Sequence, residues 1–91
     1  MQRKRPETDH ELFVALCLDA SRDPVRIEAD RLVPLLYEAE QKLRRKAAYY
    51  AMPALRRALP GIRRDAKRGG TLHVPREHLL GILHLADPES A

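Results

Sequence analysis

Apolar positions fall into clusters of different period along the chain. The first, Leu12-Phe13-Val14-Ala15-Leu16-Cys17-Leu18, is unbroken. Thr8-Asp9-His10-Glu11 precedes it and fits a capping box, with a Thr hydroxyl for the N3 amide and a Glu reaching back. The pattern predicts a helix over 9–21. Because it is apolar nearly all round, that helix is expected at the centre of the core or in an oligomer interface. Cys17, inside the run, is expected as a small buried hydrophobe rather than a nucleophile.

The second cluster is amphipathic. Leu32, Leu36, Ala39, Leu43, Ala47 and Tyr50 recur at three- and four-residue steps, predicting a helix over 31–51. Asp30 is its expected cap, and Pro34 falls near the first turn, where a missing N–H matters little. Glu38 with Lys42 and Glu40 with Arg44 are i,i+4 pairs in the favourable order. Pro53 ends this helix and opens a short one. Pro60-Gly61 punctuates again, with further helical turns over 62–68 before Gly69-Gly70 stops the chain. The last cluster, Leu79, Ile82, Leu83 and Ala86, predicts a helix opened by Pro75 and closed by Asp87-Pro88.

Two short stretches alternate instead. Val25-Arg26-Ile27-Glu28 and Thr71-Leu72-His73-Val74 each place two apolar residues on one side. They read as strands that pair with each other or across a dimer axis. For 25–28 a helix start, with Asp23 as N-cap and Pro24 at N1, is the competing reading. The expected fold is thus mainly α: three to four helices with two short strands. Residues 8–87 form one domain, with a disordered basic tail over 1–7 and a loose tail over 88–91.

Length and composition then constrain the picture. The chain has 91 residues, and one this short buries only about 60% of its unfolded surface. Phe13, Tyr37, Tyr49 and Tyr50 are its only aromatic residues, so the core must be aliphatic. A homodimer would relieve the shortage and is expected. Cys17 is the only cysteine, which suits a reducing compartment and a cytoplasmic location. The seven-residue apolar run is too short for a membrane span and too acidic in its flank for a signal peptide, so no membrane partner is expected.

Charge changes the picture most. Lys plus Arg number 17 against 13 Asp plus Glu, a net of +4. Residues 42–68 alone hold ten basic residues and one acid, Asp65, a net of +9. The ten are Lys42, Arg44, Arg45, Lys46, Arg56, Arg57, Arg63, Arg64, Lys67 and Arg68. Arg outnumbers Lys thirteen to four in the whole chain, and its planar fork binds phosphate bidentately and stacks on bases. A solvated face normally mixes signs, whereas one-sided charge matches the electrostatic footprint of nucleic-acid binding. The expected function is a small nucleic-acid-binding protein, a regulator or an accessory factor of a nucleoprotein complex, with DNA ahead of RNA. The alternative is an adaptor or inhibitor that docks a basic face on an acidic protein.

The paired basics come at seven- and four-residue steps. They make one cationic stripe if the backbone stays helical through Pro60, and two patches if it breaks there. With a break, 53–68 resembles a helix-turn-helix, its second helix presenting Arg63, Arg64, Lys67 and Arg68 to a groove. Other chemistry is not expected. His10, His73, His78 and His84 lack a metal spacing, and Gly69-Gly70 precedes a strand rather than a helix. Tyr49-Tyr50 beside the basic cluster is read as Tyr50 in the core stripe and Tyr49 packed at its edge. No enzyme, metal or cofactor is expected.

Overall fold

Thr8 starts the first helix as the sequence predicts. Its Oγ1 accepts from the Glu11 N–H at 3.1 Å, and its own N–H donates to Glu11 Oε1 at 2.9 Å. The computed structural model of the protein describes residues 8–45 and 52–86. Over these the order is α1 (Asp9–Leu18), β1 (Val25–Glu28), α2 (Ala29–Leu43), α3 (Pro53–Lys67), β2 (Thr71–Val74) and α4 (Arg76–Ala86). The structure is about 70% helical. The described residues form two helix–strand–helix units, joined by their strands.

The strands pair antiparallel, with Val25 opposite Val74 and Ile27 opposite Leu72. All four of these side chains are buried, so the alternation in sequence is the inside and outside of a two-stranded ribbon. On the outer side Thr71 Oγ1 donates to Glu28 Oε1 at 2.8 Å. The Ala29 N–H donates to the Gly70 carbonyl at 2.8 Å. Gly69 and Gly70 have φ of 81° and 79°, a region open to glycine at little strain. They turn the chain from α3 into β2. The helix reading of 25–28 is therefore excluded.

α2 runs through the core. Its stripe buries Leu32, Leu36, Ala39 and Leu43 as expected, and Leu35 and Ala29 as well. Leu79, Ile82 and Leu83 of α4 and Leu12 and Leu16 of α1 complete this aliphatic interior. Among the described residues no polar or charged residue is buried.

Several expectations change. α1 ends at Leu18, not 21. Asp19 turns the chain out by accepting from the Ser21 hydroxyl at 2.6 Å and its N–H at 3.1 Å. Those bonds, the hydroxyl's first, hold the Asp19 pKa below its ordinary value. Nor is α1 central. Only Leu12 and Leu16 are buried, while Val14, Cys17 and Leu18 are exposed. Among the described residues α1 packs chiefly on α4, which covers one stripe of the helix, and Val14, Cys17 and Leu18 lie off that stripe. α2 starts at Ala29 after Glu28, which makes no side-chain capping bond. Asp30 is inside the helix because the Ala29 N–H is already held by the Gly70 carbonyl just before β2. Pro34 therefore lies beyond the first turn, on the exposed side, where the carbonyl it leaves unpaired meets water. The predicted extension of this helix to 51, with Ala47, Tyr49 and Tyr50, lies outside the described residues, as do both tails.

Asp23 does cap a helix, but a distant one. Its Oδ1 accepts from the Arg76 N–H, the first of α4, at 2.9 Å. Arg76 Nε in turn donates to the Leu16 carbonyl in the last turn of α1 at 2.8 Å. Arg76 thus satisfies a terminal carbonyl of α1 with its side chain, while Asp23 from the α1–β1 connection satisfies the first N–H of α4. Asp23→Ala should lower stability by about 1 kcal/mol, read as a fall of several degrees in Tm, and Asp23→Asn should recover most of it.

Candidate nucleic-acid interface

The basic residues of 53–68 need a common face before their charge can act together. α3 supplies it. Residues 53–67 form one continuous helix with Pro60 inside it. At about 100° per residue, Arg56, Arg57, Arg63, Arg64, Lys67 and Arg68 fall within an arc of about 140°, along a helix about 22 Å long. The expected break at Pro60-Gly61 is absent, and with it the helix-turn-helix reading.

Packing explains why the helix survives. Leu55, Leu59, Ile62 and Ala66 form the inner face. Leu55, Leu59 and Ala66 are buried, and Ile62 packs against the same core. Burial of Leu55 and Leu59 contributes roughly 3–6 kcal/mol, against about 3 kcal/mol for a proline in a helix interior. Apolar anchors stand on both sides of Pro60, so a turn there would uncover one set. Pro60 itself is exposed on the outer face, where the carbonyl that loses its partner is hydrated. The Pro-Gly signal is real as local chemistry and is overridden by the core.

The stripe has two rows. Arg57, Arg64 and Arg68 form the outer row and are exposed. Arg56, Arg63 and Lys67 run along the border with α2. There a groove of about 400 Å³ is lined by Glu40, Leu43, Arg44, Arg56, Leu59, Pro60 and Arg63. Beside it, a groove of about 330 Å³ carries Arg44, Arg63 and Lys67 together with Val33, Leu36, Tyr37, Glu40, Gln41 and Ala66. Arg44, at the C-cap of α2, is thereby brought to the α3 cations although eleven residues separate it from Arg56.

Glu40 organises this border. It was expected to pair with Arg44 along its own helix. Instead its Oε2 accepts from Arg63 Nη1 at 2.9 Å, across to α3. The Glu40 side chain is 19% exposed and that of Arg63 48% exposed, so the guanidinium is fixed at one edge and open at the other. The pair locks α2 to α3 in the middle of the cationic surface.

The remaining predicted residues are not all gathered in. Lys42 lies about 160° around α2 from Arg44, on the side away from α3. Arg45 is exposed just past the helix and lines neither groove. Lys46 lies outside the described residues. Tyr37 was missed by sequence reasoning, which considered only the Tyr49-Tyr50 pair. The available signal was its position: it falls off the stripe of Leu32, Leu36, Ala39 and Leu43, and two turns before Arg44.

Elsewhere the surface differs in kind. A groove of about 480 Å³ between α1, α4 and the start of α3 is lined largely by Phe13, Met52, Leu80 and other apolar groups. His84 stacks on Phe13 there, with ring centroids 6.2 Å apart. Among the described residues no group of three or more His, Cys, Asp or Glu could hold a metal ion. Among them too, no helix is long and apolar enough to cross a membrane.

The continuity of α3 has a direct test. Pro60→Ala restores a helical N–H and removes a ring from the helix interior, so it should stabilise the fold by about 1–3 kcal/mol and raise the Tm with unchanged or slightly greater helicity by circular dichroism. A turn at Pro60 would give a neutral or destabilising result.

Comparison with family models, curated proteins and solved structures finds no match for the chain.

Proposed function

We propose that this protein binds nucleic acid through the cationic face of α3 and the adjoining end of α2, as a small regulator or accessory factor of a nucleoprotein complex. The observation that carries the reading is that α3 runs unbroken through Pro60. It puts six basic residues on one face and leaves Asp65 off it. Arg44 extends the surface onto α2. A stripe of like charge on a rigid helix repels itself and is held there by apolar packing on the opposite face. Such a stripe is well suited to a polyanion, whose bound counterions are released as phosphates are neutralised.

The proposal includes a homodimer and a cytoplasmic location. Val14 is 41% exposed and Leu18 83% exposed on α1, the helix whose sequence predicts either the centre of the core or an oligomer interface. A second copy of that face would cover them and leave both α3 stripes free. The exposed Cys17 thiol suits a reducing compartment. Light scattering should give twice the chain mass for the native protein and the monomer mass for Leu18→Lys. A native monomer at high concentration would remove the dimer from the proposal.

The binding test is a titration of labelled oligonucleotides at several salt concentrations. Six phosphate contacts predict that log K falls against log salt with a slope of about −4 on single strands and about −5 on duplex. Arg57→Glu with Arg64→Glu should abolish binding. This pair is cleaner than one containing Arg63, because it leaves the Glu40 contact intact. Absence of binding at low salt would overturn the proposal in favour of an acidic protein partner.

A further inference from the structure

The border groove between α2 and α3 combines clustered cations with an exposed aromatic ring. Tyr37 is 63% exposed in a protein with only four aromatic residues. Its neighbour one turn earlier, Val33, is 48% exposed. Both line the groove of about 330 Å³ that also holds Arg44, Arg63 and Lys67. Leu36 and Ala66, which are buried, form part of the same wall. An apolar wall, a phenol ring and three cations thus share one concavity, and Glu40 holds the central cation in place at 2.9 Å.

We propose that this groove takes an unpaired base of a nucleic-acid strand, stacked on Tyr37, with the flanking phosphates held by Arg44, Arg63 and Lys67. The inference rests on the nucleic-acid reading above and specifies its substrate class. A base offers a flat π face of about the size of the phenol ring, and stacking on an aromatic side chain contributes about 1–3 kcal/mol per base with little regard to sequence. In a duplex the base faces are covered by their neighbours, so Tyr37 would have only the edges of bases or a backbone to meet. A groove of this volume is at the small end of ligand sites; it fits a base, not the width of a double helix. Arg44 follows Tyr37 by two turns on α2, and Arg63 and Lys67 come from α3, which suits a strand that passes over the ring.

The chain has no Trp, so Tyr37→Trp introduces a single reporter into it. Its fluorescence should be quenched on adding twelve-residue oligo-dT or oligo-rU, and should change little with a twelve-base-pair duplex. Whichever of the two single strands binds more tightly identifies the preferred sugar. Tyr37→Ala should weaken single-strand binding about 5- to 150-fold without changing the circular dichroism spectrum, while Tyr37→Phe keeps near-native affinity. If native protein binds and Arg57→Glu with Arg64→Glu abolishes that binding, but duplex is preferred and Tyr37→Ala binds like wild type, stacking is refuted and the nucleic-acid reading stands. If no oligonucleotide binds at low salt, both fall.

Discussion

Burial of the inner face of α3 against α2 and the strand pair is the constraint on which the rest depends. Leu55 and Leu59 precede Pro60, Ile62 and Ala66 follow it, and all four face the same core. A proline favours a break, but a break would withdraw two of these side chains from the interior. The helix therefore stays whole, and the outward face inherits its order from the inward one. The cations are aligned because the leucines are. The same principle places Pro34 on the wet side of α2, where its missing hydrogen bond is replaced by solvent.

The two helix–strand–helix halves explain how residues far apart in sequence meet. The antiparallel pairing of β1 with β2 sets the end of α3 beside the start of α2. It also brings Asp23, before β1, to the first N–H of α4, after β2. Arg76 closes the loop by donating to the last turn of α1. These links use the groups that helix ends leave unpaired, so they hold the frame without burying charge. Glu40 and Arg63 act similarly at the α2–α3 border, where one acid fixes one guanidinium and leaves the other cations facing outward.

Much of the fold was legible in the sequence because the signals were local. The Thr8 capping box, the two alternating strands and the apolar stripe of α2 each follow from neighbours a few residues apart. What was illegible depended on tertiary context. Pro60-Gly61 reads as a turn until its flanking leucines are known to share a core. Cys17 reads as buried until α1 is found to pack chiefly on α4, with Cys17 off the covered stripe. Asp23 reads as a cap for the nearest helix, and its true partner is 53 residues away. Of the candidate site, the identity of the basic residues was readable, but their grouping was not. Arg44 joins the stripe and Lys42 does not, since a two-residue step on a helix nearly reverses the face. Tyr37 escaped notice because it is one aromatic with no basic neighbour in the adjacent sequence; its cations arrive from α3.

The central claim is that α3 and the adjoining face of α2 act as one continuous binding surface. Amide chemical-shift mapping during an oligonucleotide titration addresses it most directly. The account predicts perturbations that run without interruption along α3 from Arg56 to Lys67, extend to Tyr37 and Arg44 on α2, and follow a single binding curve. Perturbations that stop at Pro60, follow two separate curves, or cluster on α1 and α4 instead would contradict it.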